Sequence, residues 1–302
     1  MNIPLTDVRE YFLPTRASEV LRLIRREKGR CFLLAGGTGL TFGAPSASAG
    51  ATALLRKRKG VEVIIDLSHA GLNYVRETSG GISIGAATPV GELLKNPLFS
   101  SYAGGMVRES ALSIATTPLR NLITAGGNVM QVFIWSSLPV LFLALDARFR
   151  VMGERNGLIR AVEFFSAQPR RLVGAGSILK EIILPAPSEC AGGAFMKFSK
   201  TETDFALINV AVLLSVKGGV CNKARIAIGA VSPMPVRLLA AEKILEGQPL
   251  RDELIEDAAR AGAGGIFILR DIRVSEGYKR DIIPVILRRC LKIASERASG
   301  DH

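Results

Sequence analysis

Histidine is nearly absent from this chain: among 302 residues there are only His69 and His302. Cysteine is sparse as well. Cys31, Cys190, Cys221 and Cys290 are widely scattered, with no CxxC pair and no Cys/His ligand cluster. That spacing argues against a disulfide scaffold, a structural zinc site and a protein-ligated iron–sulfur cluster. Aromatic residues make up 6% with a single Trp, so base-stacking platforms for nucleic acid are poorly supplied. No uninterrupted apolar run approaches the length of a membrane span, and the first residues, with Asp7, Arg9 and Glu10, do not resemble a signal peptide. A cytoplasmic protein without a transmembrane segment is the expectation. With so little histidine there is also no evident nucleophile–base constellation, which weakens a hydrolase reading.

What is present fits a packed globular protein of two or three domains, with 48% hydrophobic and 22% charged residues. The net charge is +12, from 39 Lys and Arg against 27 Asp and Glu. The cations fall into several small groups (Arg25-Arg26, Arg56-Lys57-Arg58-Lys59, Arg170-Arg171, Arg288-Arg289) with no basic arm. They suit an anionic ligand or an acidic partner better than nucleic acid.

Along the chain, Glu19–Ile24 reads as a helix, with Thr15 or Ser18 as its cap. Cys31–Ala35 reads as a buried strand, Val61–Leu67 as a second, and Gly81–Ala86 as a third with the alternation of a partly exposed strand. Thr88-Pro89 resembles a helix start capped by Thr88. Leu138–Leu145 reads as a buried helix, and Glu181–Leu184 as a strand stopped by Pro185. After the composition break at Pro185-Ala186-Pro187-Ser188 come three strands, near 192–200, 208–217 and 224–231, the latter two joined by Lys217-Gly218-Gly219. Helices follow near 236–246, 251–262 and 279–296. Strands then helices imply an α+β layer with the sheet covered on one side. The expected division is residues 1–60, 61–179 and 180–302.

Two glycine loops carry the functional signal. Leu34-Ala35-Gly36-Gly37-Thr38-Gly39-Leu40 follows the first buried strand, and Thr124-Ala125-Gly126-Gly127-Asn128 lies in apolar surroundings nearly ninety residues on. The first fits neither GxGxxG nor GxxxxGK[ST], so neither a Rossmann site nor a P-loop is supported. The second alone reads as either a tight turn between packed elements or a ligand loop, and the first as a strand feeding a glycine loop, a recurring arrangement for holding phosphate. As a pair they suit a diphosphate clasped from two sides, with main-chain N–H groups on its oxygens and Thr38, Thr124 and Asn128 adding side-chain hydrogen bonds.

The set Ala35–Thr38, Ile65-Asp66-Leu67, Ile84-Gly85-Ala86, Leu119-Arg120-Asn121, Thr124–Asn128 and Leu143–Asp146 resembles the flavin-binding subunit of molybdenum hydroxylases, the xanthine dehydrogenase and carbon monoxide dehydrogenase relatives. The likeness continues in order through Phe164-Phe165, Ile178–Ile182, Asp204-Phe205-Ala206, Asn209-Val210-Ala211, Pro235-Val236-Arg237, Asp271–Ser275 and Tyr278-Lys279-Arg280. It implies an α+β fold of the vanillyl-alcohol-oxidase (PCMH) type, with two FAD-binding subdomains and a C-terminal domain carrying a small antiparallel sheet and helices. It implies FAD with its pyrophosphate against Ala35–Thr38 and Thr124–Asn128. Gly39 and Ser137 stand where relatives commonly carry Asp. Ile178, Leu179 and Lys197, with Lys200, resemble material bordering the flavin ring; for the two lysines an exposed strand face is the alternative. Asp66 serves equally as a turn cap, and Arg273 and Tyr278 either contact nucleotide or a partner subunit or serve equally as packing residues.

The implied function is electron transfer. A molybdenum-cofactor catalytic subunit would pass electrons through a [2Fe-2S] subunit to this FAD, and onward to NAD, a quinone or another acceptor. The alternatives are a stand-alone FAD-dependent oxidoreductase and a non-catalytic assembly protein that has lost FAD binding. No residue of this chain is expected to be catalytic or to bind a metal.

Overall fold

The computed structural model describes residues 8–27, 29–41, 62–188 and 190–300. The Arg56–Lys59 run, the expected boundary at residue 60 and His302 lie outside the described residues. In chain order the first elements are β1 (Glu10–Phe12), α1 (Ala17–Glu27), β2 (Cys31–Leu34), α2 (Thr38–Thr41), β3 (Val63–Asp66), β4 (Val75–Thr78), β5 (Gly81–Gly85) and α3 (Val90–Lys95). Next come α4 (Met106–Leu112), α5 (Thr117–Arg120), α6 (Ala125–Gln131), α7 (Ser137–Ala144), β6 (Arg148–Gly153), β7 (Gly157–Arg160), α8 (Ala161–Ser166), α9 (Pro169–Val173) and β8 (Ser177–Pro185). The last are β9 (Ala191–Phe198), β10 (Ile208–Lys217), β11 (Val220–Gly229), β12 (Val236–Arg237), α10 (Leu239–Leu245), α11 (Asp252–Gly264) and α12 (Glu276–Ser299).

These elements pack as two units. The first comprises Met1–Glu92, Thr116–Phe133 and Ala147–Leu184. It holds a three-stranded parallel sheet of order β1-β3-β2, in which Cys31 pairs with Val63 and Leu34 with Asp66. The apolar face of α1 (Val20, Leu21, Leu23, Ile24) is buried in one cluster with Cys31, Val63 and Ile65. The start of α1 is held by Glu19, whose carboxylate accepts from the Thr15 N–H at 3.0 Å.

A second sheet in this unit has five strands in the order β4-β5-β8-β6-β7. Its core includes Phe149 stacked on Phe164 at 3.9 Å, with Phe165 edge-on at 5.5 Å. Here the reading of β5 is corrected: all five of its residues are buried. It is an inner strand, and its small residues mark close approach; a Cβ on Gly85 would lie 2.2 Å from the Leu72 carbonyl oxygen. Thr88 is likewise not a free helix cap. Its hydroxyl accepts from Tyr74 N–H at 3.0 Å and donates to Tyr74 O at 2.9 Å, tying the end of β5 to the start of β4.

The second unit comprises Leu93–Ala115, Ile134–Asp146 and Pro185–His302. Its antiparallel sheet runs β12-β11-β10-β9, and the β10–β11 turn uses Gly218 and Gly219 at φ +60° and +77°. The sheet is covered on both faces, not one. Consecutive strand residues point to opposite faces. A Cβ on Gly192 would meet Ala294 O and Ala298 N of α12 at 2.3 and 2.2 Å, and one on Gly193 would meet Ala103 O and Met106 Sδ, both at 2.5 Å. The second cover, α4 and the wholly buried α7, comes from residues far upstream in the sequence.

A buried ionic cluster fixes the segment before α12. Lys279, whose side chain is 2% exposed, donates to Asp271 Oδ2 and to Ala230 O, each at 3.1 Å. Arg273 grips the same carboxylate through Nε and Nη2, and donates to Phe205 O and Ala206 O at 3.0 and 3.1 Å. Arg273 thus makes its described contacts within this unit.

Candidate cofactor site

β2 delivers the chain to Ala35-Gly36-Gly37-Thr38 at the carboxyl end of the parallel sheet, the end where open α/β sheets take ligands. Gly37 sits at φ +70°, a conformation suited to glycine. Gly36 admits no side chain at all: a Cβ there would lie 1.5 Å from Leu122 O. The loop is thus pressed onto the main chain just ahead of α6, and the two glycine segments meet within the first unit. Among the described residues, the N–H groups of Gly36 and Gly37 donate to no acceptor, so both remain available to a ligand.

The second loop is wired differently from the expectation. Thr124 caps α6, its hydroxyl accepting from Gly127 N–H at 3.1 Å. Ala125 N–H donates to Thr88 O and Gly126 N–H to Ala86 O, both at 2.8 Å, and Asn128 N–H donates to Thr124 O at 2.9 Å. The first four N–H groups of α6 are therefore spent on the protein itself. Gly126 is needed for contact with β5's end, since its Cβ would stand 2.5 Å from Ala86 O. Sequence reasoning saw the glycines of this loop but not that tertiary carbonyls consume its donors.

What α6 offers instead is acceptors. Asn128 Oδ1 and Gln131 Oε1 are buried and have no hydrogen-bond partner among the described residues. Unspent donors on one loop and unspent acceptors on the adjoining helix fit a ligand that carries anionic oxygens beside hydroxyl groups. The diphosphate and polyol of FAD have that character, so the residues present fit the cofactor.

At the same sheet end, Tyr11 donates a short hydrogen bond to Asp66, and Ser68 N–H donates to Asp66 Oδ1 at 2.8 Å. The Asp66 hydrogen bond pushes the Tyr11 phenol up to about 12, aided by burial and the carboxylate's charge. Burial alone would raise Asp66, but the bonds from Tyr11 and Ser68 hold it below the usual carboxylate range. Asp66 is thus occupied as a turn lock. His69 pairs locally with Ser68 Oγ at 2.9 Å.

Of the other sequence-derived residues, Leu34 and Ala35 are half-buried beside the loop, and Gly39 and Leu40 lie in α2. Ile178 and Leu179 are buried in β8, with Ile178 in the cluster of Ile65, Leu72 and Ala87. Ser137 and Lys197 belong to the second unit. Ser137, 3% exposed, opens α7 and accepts from Ser113 Oγ at 3.3 Å. Lys197 Nζ donates to the carbonyls of Ser113, Glu202 and Asp204 at 2.7, 2.5 and 3.1 Å. No group of three or more His, Cys, Asp or Glu among the described residues is placed to hold a metal ion. No helix among them is long and apolar enough to cross a membrane.

Comparison with known proteins covers nearly all of this framework. Residues 6–187 match the FAD binding domain in molybdopterin dehydrogenase, and residues 193–294 match the CO dehydrogenase flavoprotein C-terminal domain. The carbon monoxide dehydrogenase medium chain of Hydrogenophaga pseudoflava is 26% identical over 96% of this chain and 98% of its own length. The glyceraldehyde dehydrogenase medium chain of Sulfolobus acidocaldarius is 27% identical over 76% of this chain and 82% of its own. A solved carbon monoxide dehydrogenase from Hydrogenophaga pseudoflava, in a form lacking the Mo-pyranopterin moiety of the molybdenum cofactor, matches with a TM-score of 0.85 at 27% identity. That match covers 96% of this chain and 98% of the other. With the two family models matched in order along nearly the whole chain, the chain belongs to the FAD-binding medium subunits of the molybdenum hydroxylases, and FAD is its cofactor.

Proposed function

We propose that this chain is the electron-transfer subunit of a multi-subunit molybdenum hydroxylase or dehydrogenase. Its partners are a molybdenum-cofactor catalytic subunit and a [2Fe-2S] subunit, and the final acceptor is NAD, a quinone or another carrier. The observation that carries this reading is the Gly36-Gly37 loop, with two unspent N–H donors pinned against Leu122 in a chain that matches medium subunits along its length.

When bound, FAD supplies a carrier that accepts and releases electrons; the protein supplies position and electrostatics. The Gly36 and Gly37 N–H groups offer hydrogen bonds to diphosphate oxygens, bonds strengthened by the acceptor's charge. Thr124 holds α6 in register through Gly127, and Gly126 lets α6 approach Ala86 closely enough to fix the floor of the site. Asn128 presents an acceptor. No side chain of this chain is assigned a bond-making step, because substrate chemistry belongs to the molybdenum subunit.

Purification of the assembly from its source, followed anaerobically by flavin absorbance, tests this. The expected result is that substrate bleaches the flavin only when the molybdenum and iron–sulfur subunits are present, with colour restored by one of the acceptors. A flavin reduced by substrate in the isolated chain, or an assembly without FAD, overturns it.

A further inference from the structure

Gly39 is the second residue of α2 and is buried. A Cβ on it would lie 2.2 Å from Gln131 Nε2, 2.3 Å from Gln131 Oε1 and 2.6 Å from Gln131 Cδ. The Gln131 carboxamide therefore fills the volume that any side chain at position 39 would need. Gln131 closes α6, three residues after Asn128, and residues three apart share a helix face. Both side chains end in a buried oxygen without a partner among the described residues.

Packing alone does not call for this pair. A leucine would fill the notch over Gly39 without burying a carboxamide oxygen, and an unmatched buried acceptor is unfavourable. The main-chain bonds at the start of α6 are already complete, so neither amide is needed as a cap. The acceptors adjoin the loop whose Gly36 and Gly37 donors are unspent. A ligand meeting both sets carries acceptor oxygens next to hydroxyl donors.

We propose that Gln131 is a cofactor-positioning residue: its carboxamide is seated in the notch left by Gly39 and, together with Asn128, accepts hydrogen bonds from the hydroxyl groups of FAD that flank the diphosphate. The assignment rests on FAD binding by the first unit. It gives Gly39 a defined reason to lack a side chain, since Cβ-free space there is what seats the amide.

The test uses the full-length chain stripped of flavin and titrated with FAD and, separately, with ADP, with the apo melting temperature recorded in parallel. Gln131→Leu keeps the volume and removes the acceptor. The expected result is a Kd for FAD raised about tenfold with an unchanged apo melting temperature. Equal weakening of ADP assigns the contact to the ribose hydroxyls, and weakening of FAD alone assigns it to the ribityl chain; either supports the proposal. Gly39→Ala is expected to lower the apo melting temperature and to weaken FAD binding, and Gly39→Ala with Gln131→Ala to recover the melting temperature but not the affinity. A Gln131→Leu protein that binds FAD within twofold of wild type overturns the proposal while leaving the flavin subunit reading intact. A wild-type chain that takes up no FAD overturns both.

Discussion

Gly36→Ala probes the contact that joins the two glycine segments. The new Cβ would stand 1.5 Å from Leu122 O, and carbon at such positions does not come closer than about 3.0 Å, so the gap must open by about 1.5 Å. The obstacle is a main-chain carbonyl, which no rotamer change removes. Either the loop lifts off α6's approach or the Leu119–Ile123 turn moves, and in both cases the Gly36 and Gly37 donors leave their positions. A hydrogen bond to a charged acceptor contributes about 1.5–3 kcal/mol, so losing one raises the Kd for FAD roughly 10- to 150-fold. Gly37→Ala is a milder change. Its Cβ would find Leu34 Cδ1 at 3.6 Å, an ordinary contact, and only the φ of +70° is unfavourable, at about 1–2 kcal/mol. Leu122→Ala leaves the carbonyl in place and is expected not to rescue Gly36→Ala. Fluorescence titration of the apo chain with FAD reads all three. An affinity of Gly36→Ala within twofold of wild type, or Gly37→Ala weaker than Gly36→Ala, would refute the reasoning.

Other expectations follow from buried groups. Asp271→Asn strands the Lys279 ammonium, 2% exposed, and is expected to cost about 3–5 kcal/mol in urea unfolding, whereas Lys279→Met leaves Asp271 paired with Arg273, strips only Ala230 O of its donor and costs about 1–3 kcal/mol. The reverse order would show that the lysine, not the carboxylate, organises the cluster. Phe149→Ala removes a fully buried ring stacked on Phe164 and is expected to destabilise by about 3–5 kcal/mol, read as a shifted urea midpoint. Burial pushes Asp271 and Glu181 up, but bonds from Arg273 and Lys279 on the first, and from Ser83, Arg150 and Tyr74 on the second, hold both below the usual range. Their contribution is fully present above the unfolded carboxylate values of about 4 and is lost as pH falls through the lower folded values. The urea midpoint is therefore expected to be flat between pH 5 and 7 and to drop below about pH 4; a rise on acidification would contradict the assignment.

The elements bounded by strong local signals were legible in the sequence. Cys31–Leu34 is an apolar run stopped by glycine, and β10 is a run ended by Gly218-Gly219, so both stand where periodicity and turn chemistry put them, while β11 starts at Val220, ahead of the run expected near 224–231. The errors came where a residue's partner lies far along the chain. Thr88 has the look of a helix cap, yet its hydroxyl is claimed by the main chain of Tyr74, just ahead of β4. β5 alternates small and apolar residues as an exposed strand does, but smallness there reflects close packing against Leu72. The C-terminal sheet reads as half-covered because α4 and α7, which cover its second face, precede it by some fifty residues or more. At the candidate site, the glycines are visible in the sequence, but which N–H groups are spent depends on where Ala86 and Thr88 place their carbonyls. Gln131 has no sequence signal; only the notch over Gly39 exposes it.

The positive charge of the chain also takes on a different meaning in the second unit. Lys197 is spent on the carbonyls of Ser113, Glu202 and Asp204, Arg273 on those of Phe205 and Ala206, Lys279 on that of Ala230, and Arg297 on that of Gly193. Most of these carbonyls lie in irregular segments, residues 199–207 and the turn after β11, where no sheet partner is available to accept them. Carbonyls outside the sheet ladder take their donors from side chains or water, and a long cationic side chain reaches several at once. Asp271 and Glu109 then neutralise Arg273, Lys279 and Arg297 locally. Four cations of the second unit thus hold neighbouring main-chain carbonyls and fix segments that the sheet ladder does not reach.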